Sequence, residues 1–271
     1  MGVAAAIAAE WAAAEGWNPG LDDVERFARA DPGAFLCSQH DGAVVATVSC
    51  ALYGDAYAFI GFYIVREDLR GQGLGLALFQ RALARADGRV IGLDGVPAQE
   101  ETYERSGFEL AHRNTRYECS GGGERPVELV DLCDLPVEAL HAYDASVFGC
   151  SRRAFLDAWV ADRPPGMALA LADGDGLRGY AVGRPCRTGV KVGPLFADDS
   201  DAADALFRGL AAAAGDDTPV FLDVPEPNAE AESLAHRYAM QPVFATARMY
   251  RGGAPRDDVH RVYGVTTFEF G

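Results

Sequence analysis

The stretch best equipped for chemistry is Ile60-Gly61-Phe62-Tyr63-Ile64-Val65-Arg66-Glu67-Asp68-Leu69-Arg70-Gly71-Gln72-Gly73-Leu74-Gly75. An apolar run of the kind that forms a buried strand leads through a short loop into a glycine-rich helix start. The first N–H groups of a helix have no intrahelical acceptor, and the helix dipole places partial positive charge there. Together they make an anion site. Gly71, Gly73 and Gly75 carry no Cβ to obstruct a phosphate, Arg70 adds a full charge, and Gln72 and Leu74 complete the loop. A P-loop needs GxxxxGK[ST], but Leu76 and Ala77 follow Gly75, so that reading fails. A dinucleotide fingerprint needs glycine where Leu76 stands, and it opens the first βα unit rather than following several strands. A diphosphate cradle and a plain tight turn are the readings left open.

Several elements must position this loop. Residues 3–15 and 22–27 read as helices, and 34–39 and 43–52 as antiparallel strands turned by Asp41-Gly42. Residues 58–65 are nearly all apolar, as a strand buried on both faces should be. Residues 72–86 set Leu76, Phe79, Ala82 and Leu83 on one helical stripe. A strand at 90–93, a helix at 99–106 ended by Gly107 and a strand at 108–119 finish the first half. Ser120-Gly121-Gly122-Gly123-Glu124-Arg125-Pro126 makes neither a good helix nor a good strand and reads as a linker. Beyond it the order repeats. A strand at 127–132, helices at 137–148 and 153–160 and a hairpin-like pair at 167–172 and 179–182 come first. A strand at 190–196, a helix at 202–213, a strand at 220–224, a helix at 229–238 and a strand at 243–250 follow. Two copies of one mixed α/β unit are expected, at 1–119 and 127–271.

Arg70, Gly73 and Gly75 fit Arg/Gln-x-x-Gly-x-Gly/Ala, and Val65 ends the preceding strand at the matching distance. Tyr103-Glu104-Arg105-Ser106-Gly107-Phe108 supplies a Tyr four residues before Gly-Phe. In these two motifs the chain resembles the GNAT acyltransferase superfamily, as a tandem two-domain protein with a degenerate second copy. The resemblance implies an α/β (α+β mixed sheet) fold of two GNAT-like domains, each a mostly antiparallel twisted sheet flanked by helices. It also implies N-acetyl transfer from acetyl-CoA, as co-substrate, to a primary amine of a small molecule or peptide, by direct attack in a ternary complex. On that resemblance the backbone of Ile64 and Val65 holds the pantetheine arm, and Arg70, Gly71, Gln72, Gly73, Leu74 and Gly75 take the pyrophosphate. Tyr103 protonates the departing thiolate. A phenol of pKa ~10 is able to do so for a thiol near ~8.5 when the two are close.

The acceptor must also lose a proton, which costs an amine of pKa ~10.4 roughly 4–5 kcal/mol at pH 7. Family members often carry a Glu on the strand equivalent to 58–65, and this strand has no carboxylate. Asp94, directly after 90–93, is the expected base or acceptor-binding group, with Asp55 the weaker choice; both also suit turns. Trp17 and Asn18, in the loop at 15–20, are expected at the acceptor site, or else as a hydrophobic plug and a turn residue.

In the second copy the loop's counterpart ends in Asp198-Asp199-Ser200-Asp201. Three carboxylates there would repel a diphosphate, and Ala235 stands in place of Tyr103. This half is expected to bind no CoA and to help shape the acceptor pocket. Residues 261–270 (RVYGVTTFEF) are expected to add a strand to the first domain's sheet near its active site.

Composition excludes other classes. With 24 basic against 40 acidic residues, the chain carries −16 at pH 7, which disfavours nucleic acid and anionic membranes as partners. No apolar run reaches the ~20 residues of a membrane span, and the start lacks a basic n-region. A cytoplasmic protein, monomer or homodimer, is expected. Six cysteines without a CxxC pair and five histidines without ligand spacing point to no metal. The alternative to an enzyme is a non-catalytic acyl-CoA-binding regulatory or scaffold protein that keeps the loop but lacks a working base.

Overall fold

Alanine at every third or fourth position lets the first helix lie close to the sheet. In α1 (Val3–Ala14), Ala5, Ala8 and Ala12 are the buried residues. The computed structural model describes residues 2–174 and 176–271. After α1 come α2 (Asp23–Ala30), β1 (Phe35–His40), β2 (Ala43–Tyr53), β3 (Tyr57–Val65), α3 (Leu74–Arg85), β4 (Val90–Gly95), α4 (Glu100–Glu104) and β5 (Glu109–Ser120). The second half runs β6 (Val130–Asp131), α5 (Val137–Phe148), α6 (Arg153–Val160), β7 (Ala168–Asp173), β8 (Gly176–Pro185) and β9 (Val190–Ala197). It ends with α7 (Ser200–Ala214), β10 (Pro219–Pro225), α8 (Ala229–Arg237), β11 (Gln241–Arg251) and β12 (Val262–Gly264). Asp41 and Gly42 turn β1 into β2 with φ of 49° and 78°, the left-handed pair that matches strand twist.

The two halves do not keep separate sheets. Among the described residues, twelve strands form one sheet in the order β1-β2-β3-β4-β11-β5-β10-β9-β8-β7-β6, with β12 beside β9. The last long strand of each half has crossed into the other. β11 lies between β4 and β5, and β5 lies between β11 and β10. Helices α1, α2, α5 and α6 cover one face in a single core that includes Phe27, Phe62, Phe148, Trp159 and Phe270. On the other face α3 and the α7–α8 pair pack in two separate cores.

Each crossing is held by the same ion pair. Arg248 on β11 sits opposite Asp94 on β4 and donates Nε–Oδ1 and Nη2–Oδ2 bonds of 2.9 and 2.6 Å. Arg116 on β5 sits opposite Asp223 on β10, with the matching bonds at 2.6 and 2.8 Å. All four side chains are buried. Bidentate guanidinium–carboxylate geometry is the arrangement best able to offset the cost of burying both charges.

Three expectations need correction. The strand expected at 127–132 shrinks to Val130–Asp131 before a 3₁₀ turn, because Val127 and Val130 face solvent. Leu76 is exposed, because the buried stripe of α3 runs through Gly75, Leu78, Phe79 and Ala82 instead. The tail strand does not join the first half's sheet: β12 pairs with β9, Val262 opposite Phe196 and Gly264 opposite Leu195.

Beyond β12 the tail leaves the sheet and wedges between the halves. Phe270 stacks on Phe27 with centroids 3.8 Å apart, and its carbonyl accepts the Tyr53 hydroxyl at 2.6 Å. Arg152, fully buried against Asp144, donates to Thr266 Oγ1 at 2.9 Å. Truncating Phe270 should therefore open a cavity at the junction of both halves. Phe270→Ala is expected to cost about 3–5 kcal/mol in urea unfolding of the whole chain.

Candidate active site

Strands β3 and β4 run parallel from the Tyr57–Val90 pair to the Ile60–Leu93 pair and then diverge. Past that point β3 stays bonded to β2, but the register slips: Ser49 faces Gly61 and Thr47 faces Ile64. Three steps on β3 against two on β2 make a bulge. Phe62 takes φ 47° in it, and its carbonyl accepts the Thr47 hydroxyl at 3.0 Å. The splayed strands enclose a cavity of about 430 Å³. It reaches from the 69–76 loop, along Gly61–Val65 and Tyr103, to residues of the second half and the tail.

The loop supports the phosphate reading and refines it. Gly71 and Gly73 have φ of 76° and 78°, and a Cβ on either would meet nothing within 4 Å. The α3 N-terminus, capped by Gly73, receives no side-chain hydrogen bond and has no acidic residue in its first turn. The Leu74 and Gly75 N–H groups are free for an anion, while the Leu76 N–H turns back to the Gly73 carbonyl at 3.1 Å. Gly75 does a different job from the one expected. A Cβ there would lie 2.5 Å from the Tyr63 hydroxyl and from Val65 Cγ2, so this glycine lets α3 pack against β3. Gln72 does not line the cavity, whereas Ile64, Val65, Arg70, Gly71, Gly73, Leu74 and Gly75 do. Arg70 donates to the Val65 carbonyl at 2.9 Å and pairs with Glu15, which fixes it at the mouth.

Tyr103 stands on α4 with its ring between Phe79 and Phe108 and close against Gly95. Burial raises its phenol well above the ordinary value, with Tyr63 adding to the rise. The group therefore stays protonated in any ordinary buffer. Among the described residues, no hydrogen-bond partner meets its hydroxyl.

Asp94 lines the cavity, yet the expectation of a free base fails on geometry. Arg248 holds both oxygens, and Oδ1 also accepts from Asn114 at 2.8 Å and Thr246 at 3.4 Å. Burial raises its carboxyl, against the pull of Arg248 and Asn114. Asp223 makes the same pair with Arg116 beside the half that lacks the glycine loop, which marks the motif as a strand lock. Asp55 is exposed beside Arg89, outside the cavity. Trp17 lines the cavity, and its carbonyl accepts from Arg116 and Lys191. Asn18 does not; it clips the α1–α2 loop to Thr188 of the second half, donating at 2.8 Å and accepting at 3.2 Å.

Arg116, Phe244, Thr246, Phe268 and Glu269 also line the cavity; the sequence placed the tail near this site but named none of the five as site residues. All lie on the crossed strands or the tail. The one available signal was a carboxylate inside the apolar run Phe268-Glu269-Phe270.

The second half repeats the splay and fills it. β9 and β10 pair from Val190–Val220 to Val192–Leu222 and then separate. β12 occupies the edge that β3 leaves open in the first half. At the head of α7, Asp199 caps Ala202 N–H at 2.8 Å and pairs with Arg178, while Asp198 holds Arg261 of the tail. Chain fills what would be the arm's cleft, and carboxylates fill what would be the anion site.

Comparison with known proteins places both halves in one family. A model described as the acetyltransferase (GNAT) family matches residues 4–108, and one described as an acetyltransferase (GNAT) domain matches residues 140–264. Holothin acyltransferase of Pseudoalteromonas sp. (strain SANK 73390) is 32% identical over 269 residues, covering 98% of this chain and 90% of that protein. The chain belongs to the GNAT superfamily. It is an acyltransferase built of two GNAT domains in tandem. YitH of Bacillus subtilis, an uncharacterized N-acetyltransferase, is 26% identical over 216 residues, or 78% of this chain and 75% of its own. A solved structure from Pyrococcus horikoshii assigned to the acetyltransferases shares the fold with a TM-score of 0.79. It is 22% identical and covers 91% of this chain and 83% of its own. A tandem GNAT protein from the clavulanic acid pathway superposes with a TM-score of 0.58 at 16% identity, over 88% of this chain and 90% of that one.

Two outcomes follow for this GNAT enzyme. Gly73→Asp places a carboxylate at the free helix start, at a left-handed position where Asp is strained less than most side chains. Calorimetric titration should show acetyl-CoA binding at least ~10-fold weaker, the effect of about 1.4 kcal/mol of repulsion, with stability lowered by no more than about 1 kcal/mol of backbone strain. Asp94→Ala strands the buried Arg248 and should cost about 3–5 kcal/mol in urea unfolding.

Proposed function

We propose that the first GNAT domain transfers the acetyl group of acetyl-CoA to the primary amine of a small molecule, by direct attack with both substrates bound. One observation carries this reading: a glycine-lined helix start without a side-chain cap and a half-buried, protonated tyrosine with no hydrogen-bond partner among the described residues line the same cavity. Among the described residues the second domain has neither, and β12 occupies its cleft.

Acetyl-CoA supplies the activated acyl group as a thioester. The α3 N–H groups with Gly71 and Gly73 bind the pyrophosphate. The unpaired edge of β3 past Ile60, at Ile64 and Val65, orients the pantetheine amides. Tyr103 donates its proton to the departing sulfur, its ring held between Phe79 and Phe108. Trp17, Phe244 and Phe268 give the acceptor end apolar walls, and the tail and β11 close that end. The rings at that end favour an amine carried on an apolar body. The intact tyrosine weighs against a purely regulatory acyl-CoA-binding protein.

The test is thiol release from acetyl-CoA with 2-phenylethylamine and spermidine as probe amines. Tyr103→Phe should lower kcat about 100-fold or more and leave acetyl-CoA affinity unchanged in calorimetry. Because burial raises the phenol, wild-type kcat should show no falling alkaline limb below pH 10, whereas an ordinary tyrosine would begin to fail there. Full activity in the Phe variant would overturn the assignment of Tyr103.

A further inference from the structure

An acceptor amine enters water-side as an ammonium and must lose a proton before it attacks. Three carboxylates line the cavity: Glu15, Asp94 and Glu269. Glu15 is paired with Arg70 and Asp94 with Arg248. The Glu269 carboxylate has neither hydrogen bond nor ion pair among the described residues, although the residue is only 4% exposed. A buried, unpartnered carboxylate is costly to hold, and here it borders the one large cavity described. Resting on the acyl-transfer reading, we infer that Glu269 is the base that receives the acceptor's proton, supplied by the tail to a strand that has no carboxylate of its own.

The tail holds this group in place. The Glu269 carbonyl lies against Gly61, where a Cβ would sit 2.1 Å from it, so the tail rests directly on the bulge of β3. Its N–H donates to Thr267 Oγ1 at 2.8 Å, and the neighbouring Phe268 and Phe270 are buried. Packing and hydrogen bonds on both sides give the fixed position that a base requires. The cations whose fields reach Glu269 are Arg116 on β5, Arg184 on β8 and Lys191 on β9. Arg116 is bound to Asp223, Arg184 to Asp23, and Lys191 donates to the Trp17 carbonyl at 2.8 Å. Burial and Arg116 push Lys191 down to about 8.

The proton count closes. Glu269 takes one proton from the ammonium, and the freed nitrogen lone pair forms the C–N bond as the C–S bond breaks. Tyr103 gives its proton to the sulfur and regains one from the acylated nitrogen. Glu269 then returns its proton to solvent, so one proton is released per amide formed.

The experiment compares wild type, Glu269→Gln and Glu269→Asp. Acetyl-CoA affinity should stay within about twofold, and the melting temperature of Glu269→Gln should hold or rise, since no partner is lost. Single-turnover transfer to 2-phenylethylamine at pH 7 should fall about 100-fold or more in the Gln variant. That deficit should shrink by up to tenfold per pH unit toward the amine's own pKa, and Glu269→Asp should recover part of the rate. A Gln variant with the wild-type rate and pH profile would overturn the proposal. So would a pH-independent loss accompanied by a lowered melting temperature, which is the signature of a structural residue. Wild type that binds acetyl-CoA but acylates neither probe amine would overturn the acyl-transfer reading itself, and this inference with it.

Discussion

Two buried Asp–Arg pairs set the terms for everything else in the molecule. Leaving either charge unpaired in the interior costs several kcal/mol. Asp94 therefore requires β11 beside β4, and Asp223 requires β5 beside β10. These demands fix the order and register of the four central strands. They also decide which residues face the active cavity, because Arg116, Thr246 and Phe244 ride on the crossed strands. A one-residue slip would turn each arginine to the opposite face of the sheet. The far wall of the site is thus a by-product of charge pairing.

The fold makes the same opening twice and treats it in opposite ways. In both halves a parallel strand pair separates after three or four residues, and a glycine (Gly61 or Gly193) follows the last pair. In both the tail's backbone presses on that glycine, through the Glu269 carbonyl in one case and the Thr266 carbonyl in the other. Next to Gly193 the tail has just run as β12 and filled the cleft. Next to Gly61 it touches only the base of the cleft and leaves the edge of β3 free. The segment that fills the second half's cleft is continuous with the one that borders the first half's cavity.

Much of this was legible in the sequence because it was local. The glycine loop, the Tyr103 motif and helices such as 137–148 and 153–160 follow from spacing within a dozen residues, and they emerge with boundaries nearly intact. The repeat was legible too, since both halves keep the same element order. What could not be read was anything fixed by partners far along the chain. Asp94 looks like a free carboxylate at a strand end until Arg248 arrives 154 positions later. Gln72 and Asn18 match their motifs in type but face away, and Gly75 reveals its packing role only against Tyr63. The tail's alternation suggested a long strand, but wedging between two halves requires turns, so only Val262–Gly264 pairs.

The exchange of β5 and β11 also has a consequence for how such a chain is made. As the first half leaves the ribosome, β4 carries an unpaired edge until residues 241–251 have been synthesised. An exposed apolar edge invites pairing with other chains, and contacts this distant in sequence are slow to form. The two copies are therefore no longer separable modules. Trading strands makes one continuous sheet of the two, and neither half completes its own sheet alone.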